Sequence, residues 1–178
     1  NNRGKESEVY YLPGSSIEGM QERTYSTALT NAGGHLKIDY RLAANHKLSW
    51  YNGYMTMSEA QVREVADEKS GSLREKFTSQ WIYNSTLMGE HRLLGNNALA
   101  LNWKGVYSKA YSETPDQCLF NLIGNHIANT GAATRRWEHN SDRDWAGYMD
   151  IAYKMDAFNI AVGGMYRDKK RTSFFNEY

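Results

Sequence analysis

Several features are nearly missing from this sequence, and each absence excludes a class of protein. One cysteine, Cys118, rules out an internal disulfide framework. No apolar run approaches the roughly 18 residues that mark a transmembrane helix. The sequence also lacks an excess of charge of one sign, because 21 Lys and Arg residues are balanced by 20 Asp and Glu residues. Nothing in the charge therefore indicates a nucleic-acid partner. The mean hydropathy of −0.73 is low, yet it also suits a transmembrane barrel, in which only alternate residues face lipid.

Helical periodicity is scarce, whereas a period of two recurs along the chain. In "GHLKIDYRLAANHKLSW", residues 34–50, charged and apolar side chains alternate up to a short polar turn. The segment over 58–77 has charges that suit a helix, but its apolar stripe is thin and Gly71 interrupts it. We interpret that segment as a strand end, a loop over 67–72 and the start of the next strand.

Five further stretches alternate in the same way and predict amphipathic strands. Their apolar positions are Leu48, Trp50 and Tyr54; Phe77, Trp81, Tyr83 and Leu87; Leu99, Leu101, Trp103, Tyr107 and Tyr111; Trp145, Met149, Ile151, Tyr153 and Met155; and Phe158, Ile160, Val162 and Tyr166. Short turns are predicted at 43–46, 94–97 and 155–157.

The fold predicted from this pattern is all-β, an antiparallel up-and-down meander of about six long strands in three hairpins. The whole chain, 1–178, is expected to form a single unit. Strands 1–4 are expected over 22–112 and strands 5–6 over 141–168. Extracellular loops are expected over 1–21 and 113–140, and a loop or strand extension over 169–178. Short turns at one end and long loops at the other are typical of outer-membrane barrels.

The placement of aromatic residues favours contact of the apolar face with lipid. Tyr40, Trp50 and Tyr153 lie near the short turns, Trp145 and Tyr166 lie toward the long loops, and aliphatic residues lie between the two groups. Two aromatic bands around an aliphatic one form the girdle expected at two membrane interfaces. The opposite face is too polar for the packed interior of a small barrel, so it indicates a wide barrel with a water-filled or plugged lumen.

The succession of these strands resembles the barrel of TonB-dependent receptors, most closely the Bacteroidetes type, in which a carboxypeptidase-like regulatory domain lies upstream. The most specific parts are "WKGVYSKAYSETPDQ" and "YRDKKRTSFFNEY", and the resemblance covers about residues 22–178. It implies a barrel of about 22 strands around a plug, in the outer membrane of a Gram-negative cell. It also implies import of a nutrient, a metal chelate, glycan or peptide, driven through TonB.

This chain departs from that family pattern, since it shows no TonB box, no plug and no barrel closure. We therefore interpret it as an internal barrel segment of a transport receptor, with TonB reached through an N-terminal region absent from this sequence. Its expected partners are the lipid bilayer and the nutrient ligand. As an isolated fragment it is expected either to curl into a small closed sheet or to dimerise through its unpaired edge strands.

Ligand contact is predicted in the loop over 113–140, where Arg135, Arg136 and Trp137 offer bidentate hydrogen bonds and a stacking surface. The run "EHNSDRD" collects acidic residues and a histidine, but such runs are usually surface charge, so no metal or other cofactor is predicted. No nucleophile elbow, zinc motif or phosphate loop occurs, and the sequence does not indicate an enzyme.

Two other interpretations remain open on the sequence. A soluble β-sandwich or lipocalin-like binding module would bury Leu99, Leu101, Trp103, Met149, Ile151 and Tyr153 in a closed core. A small outer-membrane barrel enzyme would need two more strands and a cluster of Ser, His and carboxylate side chains near one rim.

Overall fold

The computed structural model describes residues 2–11, 17–66, 70–123, 126–127 and 133–178, and all regular structure among them is β-strand. The strands are β1 (Asn2–Tyr11), β2 (Ile17–Ala43), β3 (His46–Ala66), β4 (Ser70–Leu93), β5 (Leu99–Ile123), β6 (His126–Ile127), β7 (Thr134–Lys154) and β8 (Asn159–Glu177). In the described part of the chain, no helix has the length and hydrophobicity needed to cross a membrane.

The strands form one antiparallel sheet in the order β1-β2-β3-β4-β5-β7-β8, with the short β6 paired to β5. Six of the strands are long, which confirms the predicted meander. The sheet is open, since no pairing within the described residues joins β1 to β8, and a small closed sheet is therefore not what this chain forms. The three tight connections lie between Ala43 and His46, Leu93 and Leu99, and Lys154 and Asn159, at the predicted turns.

The register places the predicted apolar positions on one face. Leu101 pairs with His91 and Ile151, and Ile151 pairs in turn with Val162, so these side chains form a row across four strands. Five further rows on the same side of the sheet cross β4, β5, β7 and β8 and start in β4 from Leu93, Gly89, Leu87, Ser85 and Tyr83. We call this side the apolar face, and the opposite side, which carries residues such as Lys37, Asp39, Glu90, Asn102, Lys104 and Asp150, the polar face.

Within the described ranges, no hydrophobic core covers the apolar face. Among the described residues, the buried hydrophobic side chains are Val65, Ala98 and Ala100, and none is completely buried. Large apolar side chains are instead open, with Met149 52% and Val162 70% exposed. Because about 25 cal/mol per Å² is gained by covering apolar surface, a face of this size is expected to lie against another apolar phase.

The strands continue beyond their predicted ends. Most described residues in the predicted loops over 1–21 and 113–140 belong to strands, because β1 pairs along β2 and β5 stays paired to β7 through a bulge between Thr114 and Gln117. The bulge absorbs an extra residue without ending the ladder. Residues 169–177 belong to β8, and Tyr178 follows the end of that strand.

Two residues of the β4–β5 turn, Leu94 and Asn97, have the positive φ angles of the left-handed region, which suits asparagine better than leucine. Leu94 has φ of 68° and Asn97 has φ of 56°. The Asn97 N–H donates to the Leu94 carbonyl at 2.9 Å, and the Ala98 N–H donates to Asn96 Oδ1 at 3.1 Å. Asn adopts the left-handed region readily, whereas a leucine there is strained.

Replacing Leu94 by asparagine is therefore expected to raise the free energy of unfolding, by about 1 kcal/mol, because the turn keeps its shape and loses its strain. The neighbouring change Leu93→Asn, in the extended end of β4, is the matched control and is expected to destabilise. Denaturant titrations of both variants measure this. Equal destabilisation by the two changes would contradict the assigned strain.

Candidate functional site

The three predicted ligand residues lie at the start of β7 rather than in a loop. Arg135 pairs with Cys118 of β5, and Arg136 pairs with Gln117 of β5 and Glu177 of β8. Since side chains alternate along a strand, Arg135 and Trp137 share the apolar face and Arg136 lies on the polar face. The structure thus brings two of the three residues together and separates the third.

Each arginine of this group already contacts a carboxylate. Arg135 donates through Nε to Asp116 Oδ1 at 3.2 Å and through Nη2 to Asp116 Oδ2, and its guanidinium lies 5.5 Å from the Trp137 ring centre. Hydrogen bonding from Arg135 lowers the pKa of the Asp116 carboxyl below its ordinary value. Arg136 donates to Glu177 Oε2 at 2.9 and 2.6 Å. A ligand anion would have to compete with these partners, and ligand binding here stays a prediction.

The acidic run that follows is divided between the two faces. Glu138, Asp142 and Asp144 lie on the polar face and His139 on the apolar face, where its Nδ1 is 3.3 Å from Glu113 Oε1. Among the described residues, no group of three or more His, Cys, Asp or Glu side chains could hold a metal ion.

Ion pairs between β7 and β8 line the polar face beyond Trp145 and Tyr166. Arg171 donates to the two oxygens of Asp142 at 2.6 and 2.7 Å, and Arg167 donates through Nε to Asp144 at 3.0 Å. Hydrogen bonding from Arg171 lowers the pKa of Asp142, and hydrogen bonding from Arg167 lowers that of Asp144. These bidentate pairs hold the edge strand in register.

Acidification is expected to loosen β8. A carboxyl whose pKa is depressed in the fold stabilises it above the ordinary Asp range, and that contribution is lost as pH falls through the depressed pKa. Amide exchange in β8, corrected for the intrinsic rate, should therefore rise below about pH 4 relative to exchange in the central strand β3. The variant Asp142→Asn/Asp144→Asn should show faster β8 exchange without that pH response. An identical pH response in this variant would refute the assignment.

Two depressions lined in part by charged and amide side chains open on the polar face, where the sequence predicted a lumen. One, of about 360 Å³, is lined among others by Gln80, Ser112, Asn140, Asp142 and Arg171. The other, of about 390 Å³, is lined among others by Glu90, Arg92, Asn102, Lys104 and Asp150. Their mixed charges suit hydrogen bonding to a polar ligand or to another protein segment.

Sequence reasoning missed a row of three cations on the apolar face. Lys109 pairs with Arg143, and Arg143 pairs with Lys170, so the three side chains align across β5, β7 and β8. They line a depression of about 270 Å³ together with Tyr107, Ser141 and Thr172. The sequence pattern alone placed none of the three on a face, and only the register between strands brings them together.

Near the short turns, at the end of the sheet away from the cation row, two histidines and a glycine fix the position of Trp103. Its Nε1 donates to His91 Nε2 at 3.0 Å, and His91 Nδ1 lies 3.0 Å from His46 Nδ1. The indole passes directly over Gly89, whose added Cβ would overlap Trp103 Nε1 and Cε2. Trp103 is thus held by contacts with neighbouring strands and by one hydrogen bond rather than by a core.

No family model and no curated protein matches this chain. One solved structure, described as "Pore forming protein", aligns over 97% of this chain and 96% of its own length, with 8% identity and a TM-score of 0.17. A similarity this low supports no inference about fold or function.

Proposed function

We propose that this chain forms part of the wall of a TonB-dependent outer-membrane receptor, which imports a nutrient such as a metal chelate, a glycan or a peptide. The observation that carries the proposal is the two-sided sheet: one face is apolar and uncovered, and the other carries charged rows and depressions lined in part by charged and amide side chains. Such a sheet suits a wall between lipid and a polar lumen.

The polar face supports a role in the lumen. Its ion pairs between β7 and β8 and its depressions of about 360 and 390 Å³ offer hydrogen-bonding groups to a plug or a passing ligand. In this proposal the wall does no chemistry, and energy for import enters through TonB outside this segment. Arg135, Arg136 and Trp137 lie at the end of the sheet far from the short turns, the end that the proposal assigns to the cell exterior.

The open edges fit a section of a larger barrel. β1 and β8 each pair on one side only among the described residues, and an unpaired edge of 19 residues in β8 is a template for another strand. In the receptor, neighbouring barrel strands would cover both edges. If the segment is isolated, we expect a second copy to take that place in a strand-mediated dimer.

A soluble β-sandwich or lipocalin-like module is the second candidate, and the apolar face argues against it. That module needs Met149, Ile151 and Tyr153 inside a closed core, whereas they are 52, 39 and 37% exposed, and the described residues form a single sheet. The small barrel enzyme has no specific observation in its favour.

The test is fractionation and uptake in cells that express the gene. The proposal expects the protein in the outer-membrane fraction, with an intact mass well above the 20.4 kDa of these 178 residues. Uptake of at least one member of a panel of radiolabelled ferric chelates, oligosaccharides and peptides should require the gene and stop with a protonophore. A protein of 20.4 kDa that stays soluble without detergent would overturn the proposal.

A further inference from the structure

Among the described residues, the row of Lys109, Arg143 and Lys170 on the apolar face lacks the carboxylate partners that neighbouring cations have. On the polar face of the same strands, Arg167 and Arg171 are neutralised by Asp144 and Asp142. Lys109, Arg143 and Lys170 have no carboxylate partner within the described residues. Three uncompensated charges in one row form a site for an anion, because each would gain from a shared counter-charge.

The acidic groups nearest to this row do not fill that role. Asp168 lies one row closer to the short turns, where it pairs with Trp145. Glu113 lies beyond the row and contacts His139 at 3.3 Å. Lys109 is further held 5.6 Å above the Trp81 ring, and the hydroxyls of Ser141 and Thr172 line the same depression. The depression therefore combines three cations with hydroxyl donors, a set that suits a phosphate group.

An apolar depression lies below the cations on the same face. Tyr107 and Trp145, whose ring centres are 4.4 Å apart, form the row next to the cations. Beyond them Gly105, Gly147 and Gly164 help line a depression of about 690 Å³, and a Cβ added to any of the three would meet open space.

The spacing of the two depressions matches an amphiphile. Lys109 lies four positions after Gly105 along β5, which is about 13 Å of extended strand. A phosphate that binds the cations would therefore have its attached hydrocarbon over the glycines. A free phosphate ion would use only the upper half of this surface.

We propose that Lys109, Arg143 and Lys170 bind the phosphate of a membrane lipid headgroup whose acyl chain lies over Gly105, Gly147 and Gly164. This inference rests on the proposed function, since it needs the apolar face to lie against a bilayer. The aromatic row then lies at the membrane interface, where cationic side chains reach lipid phosphates.

Lipid selectivity in bilayers tests the proposal. The full protein is reconstituted into phosphatidylcholine vesicles, and the association of spin-labelled phosphatidic acid is compared with that of spin-labelled phosphatidylcholine by EPR. We expect phosphatidic acid to be favoured by about ten-fold at low salt, and Lys109→Gln/Arg143→Gln/Lys170→Gln to remove the preference. Asp168→Asn should strengthen it, because the change removes a nearby negative charge.

The control removes charge from the other face. Arg41→Gln/Lys154→Gln takes two cations from the polar face, at positions that line neither depression of the proposed lipid site, and should leave the preference unchanged. Unchanged selectivity in the triple variant would overturn the proposal. Displacement of the spin-labelled lipid by inorganic phosphate at matched ionic strength would also overturn it, since it would identify a soluble anion as the occupant.

A second measurement on the reconstituted protein separates this proposal from the one on which it rests. Quenching of tryptophan fluorescence by brominated phosphatidylcholine reports whether the apolar face contacts lipid at all. Strong quenching without phosphate selectivity would refute the lipid site and leave the barrel wall standing. Absence of quenching would refute both.

Discussion

Replacing Met149 by arginine is expected to destabilise the protein in a bilayer by about 2–4 kcal/mol. Met149 lies midway along β7 between Trp145 and Tyr153, and 52% of its surface is exposed on the apolar face. If that face contacts lipid, the guanidinium would enter the hydrocarbon near its midplane. On a sheet that faces water, the same change at a half-exposed position would cost within about 0.5 kcal/mol.

The matched control is Asn102→Arg on the polar face of the adjacent strand. Asn102 pairs with Glu90 and Asp150, so an arginine there would gain two carboxylate neighbours. Denaturant titration in vesicles, followed by tryptophan fluorescence, measures both variants. The barrel-wall proposal requires a large loss for Met149→Arg and little change for Asn102→Arg, and equal effects would count against it.

Gly89→Ala is expected to lower the free energy of unfolding by about 1–3 kcal/mol, although it adds a single methyl group. The new Cβ would overlap Trp103 Nε1 and Cε2 and would lie 2.7 Å from Cζ2, so the indole must move. Moving it breaks the hydrogen bond of 3.0 Å from Trp103 Nε1 to His91 Nε2. Coverage of a strand glycine by a cross-strand aromatic ring is a known way to fix register.

Gly105→Ala is the control for this change. Gly105 lies on the same face of the adjacent strand, but a Cβ there would meet nothing within 4 Å. Alanine should therefore be neutral or stabilise by up to about 1 kcal/mol, since it reduces the entropy of the unfolded chain. Thermal unfolding together with the fluorescence maximum of tryptophan compares the two variants, and equal stability would show that Trp103 does not need Gly89.

The sequence predicted the two faces of the sheet well, for a physical reason. Alternation has a period of two, and a one-residue slip would move every apolar side chain to the other face, so register follows from the pattern. The apolar residues of "NALALNWKGVYSKAY" and "WAGYMDIAYKM" accordingly lie on the same face, with Leu101 beside Ile151.

The sequence predicted the long-loop end poorly. Polar residues over 113–140 read as a loop, yet cross-strand ion pairs such as Arg136 with Glu177 continue the ladder there. These partners are 41 residues apart, so no local pattern indicates them. The cation row was missed for the same reason, because Lys109, Arg143 and Lys170 become neighbours only through the register of three strands.

In the proposed barrel wall, the apolar face contacts lipid and the polar face contacts water. Nitroxide labels placed singly from Leu99 to Tyr107 in a Cys118→Ser background, in vesicles, test it most directly by collision with oxygen and with a water-soluble nickel chelate. If the faces are placed as proposed, labels at odd positions should collide mainly with oxygen and labels at even positions mainly with the nickel chelate. Two results would contradict it. Labels at odd positions could collide with neither reagent, as in a soluble core, or labels at all positions could collide with the nickel chelate.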